Sequence, residues 1–286
     1  MNILVDLNNI AFATRFAKVR NPVSRRRKDK LVTESIAREM ISWIVTHAHS
    51  NQCEGVVIAK DSRKVWRRDI YPMYKASSTS NEDPYYEEVL AAADMVAEYF
   101  KECTSAYVLE VPKTEADDII GYWALNSMSG SLIMSTDKDY VQLISDRVKV
   151  YSPVQKVFRE SEDPQWDLFL KCMRGDKNDN IRSAFPRVRE TLLRKAYDDD
   201  YELLNLLETV RPDGKKVGED FEFNQTLIDL TMQPQHIKDM IKDAILTYVP
   251  SKYSEFSTSK YFKEKGLGDT KFFNFKDKCL KNKPIF

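Results

Sequence analysis

Three short acidic stretches carry most of the chemistry in this sequence: TEADDII (residues 114–120), STDKD (135–139) and GDKNDN (175–180). Glu115, Asp117 and Asp118 fall within four positions, Asp137 and Asp139 lie two apart, and Asp176 and Asp179 lie three apart behind Gly175. Two further aspartates, Asp6 and Asp61, close the apolar runs NILVD and GVVIAKD. Each has an ordinary structural reading. Thr114 can cap a helix with Asp117 three residues on, STDKD can be a cap with acids in the first turn, and GDKNDN can be a polar turn held by Asx hydrogen bonds. Brought together, these carboxylates would raise one another's pKa values strongly unless positive charge sat among them. A metal ion is the economical source of that charge.

The ligand type selects the metal. Carboxylates without histidine or cysteine suit hard cations, and magnesium or manganese binds a few of them while keeping waters for phosphate substrates. So many acids exceed the needs of one ion. A pair about 4 Å apart would polarise a scissile phosphate and lower the pKa of an attacking water, which points to phosphodiester hydrolysis. The three histidines and four cysteines are scattered without a CxxC pair, so neither a zinc site nor a disulfide framework is expected.

The elements that must position these acids are legible in outline. NILVD (2–6), GVVIAKD (55–61), AYVLEV (106–111) and SLIMSTD (131–137) read as buried strands, with VKVYS (148–152) a fifth. Helical patterns over 32–49, 84–102 and 115–128 alternate with them. The expected fold is therefore α/β, a mostly parallel sheet flanked by helices, and ligands of such sheets bind beyond the strands' carboxyl ends. From residue 161 the pattern turns helical, at 164–174, 187–196, 200–209 and 221–248. We expect two parts, 1–160 with the carboxylates and 161–286 helical, the latter with an acidic helix-turn-helix-like loop at RPDGKKVGED (211–220) and a basic closing tail.

Composition sets bounds rather than a function. The 286 residues are 42% hydrophobic, and 44 basic side chains balance 44 acidic ones. The charge is patchy: residues 15–30 hold eight Lys or Arg against Asp29, and 60–75 hold six against two acids. The first block reads equally as a solvated loop. SRKVWRRDIYPMYK, following Asp61, suits phosphate contact, although its aromatics more often pack than stack on bases. No apolar run is long enough to span a membrane and no leader is evident, so a soluble chain is expected.

Five blocks in this order, namely Asp6, Asp61 with VWRRDIYPMYK, TEADDII, STDKDYVQL and GDKNDNI, resemble the 5′-nucleases related to flap endonucleases. That family includes the 5′-exonuclease domain of bacterial DNA polymerase I and phage exonucleases and ribonucleases H. The resemblance covers almost the whole chain. It implies two Mg2+ ions, with Mn2+ able to substitute: Asp6, Asp61, Glu115, Asp117 and Asp137 on the first, Asp139, Asp176 and Asp179 on the second, and Asp118 between. Arg67, Arg68 and Lys75 match basic positions at the gateway for the 5′ strand, with Lys75 also serving catalysis. Arg182, Arg187 and Arg189 stand where many members have a glycine-rich hairpin on the duplex backbone, and are expected to contact phosphates in its place.

The implied substrates are DNA with 5′ single-stranded ends or flaps and RNA:DNA hybrid, cut by a monomer during phage replication in the cytoplasm of an infected bacterial cell. The closing KNKPIF reads as a frayed end or as a peptide for a sliding clamp or single-strand-binding protein. A PIN-type ribonuclease and a catalytically silent DNA-binding scaffold remain alternatives.

Overall fold

The computed structural model describes residues 1–20, 33–76, 84–269 and 278–286. The basic run at 25–30 and the polar stretch SSTSNED at 77–83 therefore lie outside the described residues. Six strands form one sheet: β1 (Asn2–Asp6), β2 (Gly55–Ala59), β3 (Tyr107–Leu109), β4 (Ser131–Met134), β5 (Val148–Ser152) and β6 (Val157–Arg159). Their spatial order is β3-β2-β1-β4-β5-β6, parallel except for the antiparallel β5–β6 edge pair. Strand β6 was not expected.

Why β1 lies at the centre follows from its side chains. All five residues are buried, with Ile3 and Val5 packing in one core and Leu4 in the other, as period-2 alternation requires of a strand covered on both faces. The first face is covered by α1 (Leu7–Arg20), α2 (Thr33–Ser50) and α4 (Tyr86–Cys103), whose Ile36, Met40, Ile44, Val89, Val96 and Phe100 are fully buried. The second is covered by α5 (Ala116–Asn126), with Ile119, Ile120 and Trp123 inside. A short helix, α3 (Trp66–Ile70), lies between β2 and α4.

The helical half departs from expectation at one helix. Helices α6 (Pro164–Arg174), α7 (Glu190–Asp198), α8 (Asp200–Glu208) and α9 (Val217–Ile228) build their own apolar clusters around Phe169, Met173, Leu193 and Leu206. The expected helix over 221–248, however, is two helices: α9 ends at Ile228, where Asp229 turns to extended backbone, and α10 (Gln235–Thr247) starts anew after Pro234. Ile237, Ile241 and Ile245 of α10 then pack on the sheet core. Tyr261 and Phe262 of α11 (Glu255–Glu264) do so on the opposite face, as do Cys279 and Leu280 of α12 (Lys278–Lys281). Helices from residue 235 onward thus cover both faces of the sheet.

Nor is KNKPIF frayed. Phe286 lies 5.1 Å from the Trp123 ring, and the Ile285 carbonyl accepts from Asn2 Nδ2 (2.7 Å) and Ser127 Oγ (2.9 Å). Pro284 presses on Gly55, where an added Cβ would stand 2.6 Å from Pro284 Cα. Gly55→Ala should therefore displace this segment and cost about 1–3 kcal/mol of stability, read from urea unfolding; an unchanged midpoint would contradict the close packing of Pro284 on Gly55.

Candidate metal centre and nucleic-acid surface

Because β1 to β4 are parallel, the residues that follow each strand emerge at one edge. Asp6 ends β1, Asp61 follows β2, Glu115 to Asp118 open α5 after β3, and Asp137 and Asp139 follow β4. Asp6, Asp61, Glu115, Asp117 and Asp137 line one cleft of about 1070 Å³, with Lys60, Arg63, Arg68 and Lys75 on its wall. A second group, Asp139, Asp176 and Asp179, brings carboxylate oxygens within 4.8 Å of one another, as do Glu115, Asp117 and Asp118.

Local hydrogen bonds aim these side chains. Asp6 accepts from Ser135 Oγ and Tyr140 Oη at 3.1 Å, and Asp61 from the Ala116 N–H and Asn8 Nδ2 at 2.8 Å. The helix cap is Glu115 rather than Thr114: the Glu115 N–H donates to Asp118 Oδ2 (3.0 Å), while the Thr114 hydroxyl turns back to the Val111 carbonyl. In GDKNDN, Asp176 Oδ1 accepts from the Asn178 N–H (2.8 Å). Gly175 adopts φ 70°, and a Cβ there would meet the Ile181 and Arg182 carbonyls at 2.5 Å, so this turn requires glycine.

Arg67 is not where a nucleic-acid contact would be. Its side chain is 1% exposed, and its Nη1 donates to Glu115 Oε2 (2.9 Å) and Asp118 Oδ2 (3.0 Å) while its Nε donates to the Leu227 carbonyl (2.8 Å). It neutralises the first acidic turn from behind. Asp118, fully buried, also accepts from Trp66 Nε1 (3.0 Å). Lys75 faces the cleft, 2.6 Å from Glu115 Oε1, with φ at 54°. Its N–H donates to the Asp179 carbonyl (3.0 Å), and Tyr74 Oη donates to Asp179 Oδ2 (3.2 Å). The stretch from Trp66 to Lys75 therefore spans both carboxylate groups. Trp66 and Tyr74 are each 2% exposed and pack rather than offering a face to a base. Arg68, Arg182, Arg187 and Arg189 are exposed.

One partner was missed in the sequence. Lys171, in the last turn of α6, contacts Asp139 Oδ1 and lies 2.9 Å from Asp176 Oδ2. A lysine near a helix C-terminus is so ordinary on dipole grounds that nothing singled it out.

The electrostatics show how crowded the edge is. Burial, with Asp61 and Asp137 nearby, raises Asp6 to about 7, and burial beside Asp137 raises Asp139 to about 6. Burial also pushes Asp61, Asp118 and Asp179 up, and Asp117 well up despite Arg67. Glu115 goes the other way: burial is outweighed by Lys75 and Arg67. Asp176 is likewise lowered because Lys171 outweighs burial. An all-carboxylate donor set, desolvated and holding protons it would release to a cation, fits hard divalent ions.

The fold resembles solved structures of phage T5. The D15 protein co-crystallised with metal ions superposes with a TM-score of 0.63 at 20% identity, over 92% of this chain and 97% of that one. A D15 flap endonuclease complex with DNA and metal ions gives 0.61 at 20% identity, over the same shares. Residues 1–165 match the model of the 5′-3′ exonuclease N-terminal resolvase-like domain, and the chain belongs to that family. It is 28% identical to ribonuclease H of Enterobacteria phage T4, over 92% of each chain. To DNA polymerase I of Mycobacterium tuberculosis it is 23% identical over 87% of this chain, which spans only 28% of the polymerase's length.

Two measurements follow. Arg67→Met should cost about 3–5 kcal/mol in metal-free urea unfolding, since it strands buried Glu115 and Asp118; a loss under 1 kcal/mol would refute the role given to this guanidinium. Asp6 and Asp139 have pKa values raised above their ordinary 3.8, so their stability contribution is full below that value and is lost as pH climbs through 6 and 7. Divalent ions bind the deprotonated forms, so the rise in melting temperature on adding Mn2+ should grow between about pH 5 and pH 8. An equal rise at both ends would contradict it.

Proposed function

We propose that this chain is a divalent-metal-dependent 5′-nuclease that hydrolyses phosphodiester bonds at the 5′ ends of duplex and branched nucleic acid, removing RNA primers from RNA:DNA hybrid and cutting flaps. The observation that carries the reading is the convergence of Asp6, Asp61, Glu115, Asp117 and Asp137 on one cleft, with a second carboxylate group joined to it through Lys75 and Tyr74. The names of the T4 and T5 relatives support the choice of substrates. The proposed setting is phage replication in the cytoplasm of an infected bacterium.

Magnesium is the proposed ion, a pair of them, one on each carboxylate group; when bound they supply Lewis-acid polarisation of the phosphate and a more acidic water. The chain's own residues do the rest. Lys75, about a third exposed beside Glu115, presents an ammonium to a phosphate oxygen and draws the strand toward the carboxylates. Asp118 and Arg67 hold the acidic turn in place from within. Arg68 on the cleft wall and exposed Arg182, Arg187 and Arg189 grip phosphates without reading bases. Helices α6 to α9, with the turns between them, form the proposed duplex-binding part.

The test is cleavage of labelled 5′-flap DNA and RNA:DNA hybrid in Mg2+. Wild-type protein should cut both, and Asp137→Asn should lose roughly 100-fold or more of the rate while binding the substrates as before. Well-folded protein that leaves both substrates intact sinks the proposal. Cleavage of single-stranded RNA without need of a duplex would favour a PIN-type ribonuclease in its place.

A further inference from the structure

The two carboxylate groups are neutralised in different ways. Arg67, behind the first, is 1% exposed and tied at once to Glu115, Asp118 and the Leu227 carbonyl, so it cannot leave without breaking buried bonds. Lys171, at the second, is 24% exposed, and among the described residues its ammonium is paired with Asp139 and Asp176 alone. Its ammonium is a compact charge on a flexible stem, with solvent beside it. Asp176 is anchored through Oδ1 by the Asn178 and Asp179 N–H groups, which leaves Oδ2, the oxygen Lys171 faces, as the one directed at the group.

From this contrast we infer that Lys171 is a tethered counter-ion of the Asp139–Asp176–Asp179 group: it occupies the group in the absence of a divalent ion and withdraws when one enters. The second ion must therefore displace an ammonium held by two of its own carboxylates at once, whereas Lys75 at the first group bonds Glu115 alone among the carboxylates there. Three carboxylates with one ammonium leave two net negative charges, enough to attract a divalent ion, yet ion and ammonium would compete for the same oxygens of Asp139 and Asp176. The second ion is consequently the weaker one, and binds fully only when a substrate phosphate adds oxygen ligands. This inference rests on the metal reading above, since it assigns a role toward the second of the two proposed ions.

The experiment is a Mn2+ titration of the full chain without nucleic acid, following heat by calorimetry and unbound Mn2+ by electron paramagnetic resonance. Lys171→Gln should tighten the second ion about tenfold and leave the first unchanged, whereas Lys171→Arg, which keeps the charge, should match wild type. Second-ion affinity that is unchanged or weaker in Lys171→Gln overturns the inference, as does equal tightening in both variants. A measurement on the unaltered protein guards against misfolded variants: acetylation of Lys171 by acetic anhydride, quantified by mass spectrometry, should speed up as Mn2+ is added. Reactivity that stays constant or falls overturns the inference. If wild type binds one Mn2+ tightly and Lys171→Gln gains nothing, the inference alone fails; if wild type binds no Mn2+ at all, the metal reading beneath it fails.

Discussion

Repulsion among carboxylates is the constraint around which this fold is arranged. Four parallel strands deliver acids to one edge, and the polypeptide must hold them there whether or not an ion is bound. It does so with internal cations, Arg67 and Lys75 at the first group and Lys171 at the second. Buried pairs of this kind are not strong sources of stability, because desolvation consumes most of the Coulombic gain. Their value is in fixing positions: Arg67 is bonded to so many groups that the acidic turn has one place to be.

The same guanidinium ties the edge to the helical half. Leu227 to Gln233, the link between α9 and α10, is gripped by Arg67 at the Leu227 carbonyl and by Gln142 at the Ile228 carbonyl and the Leu230 N–H. Gln233 returns the contact by donating to the Asp118 carbonyl. Residues of both acidic loops thus hold one short strap, so the helices that would meet a duplex are referenced directly to the carboxylates that would cut it.

Much of this was readable in the sequence for a simple reason: an apolar run that ends in a carboxylate marks both a strand and its exit edge, three runs end so, and five acidic blocks in this order are hard to produce by chance. The parallel sheet and the gathering of Asp6, Asp61, Glu115, Asp117 and Asp137 at one cleft follow from that pattern. What failed to show was burial. Arg67 sits in a basic stretch and reads as a phosphate contact, yet Trp66 and Leu227 close over it, and only three-dimensional packing decides that. Thr114 and Glu115 are both plausible caps, and the choice turned on where the Thr114 hydroxyl could reach. Lys171 carries no local signal, since its partners are 32 and 5 residues away in opposite directions. The tail was misjudged because aromatic residues at a chain's end look expendable until a facing Trp123 is known.

The pairing of Asn2 with Ile285 has a temporal meaning. The strand at the centre of the sheet is sealed at its amino-terminal end by a segment 283 residues later in sequence. Until then Gly55 and Trp123 lack their cover, and contacts of such long separation form late and slowly. The residues of the acidic edge therefore emerge during synthesis well before the segment that closes the sheet's opposite end, and that interval is the one most exposed to misassembly.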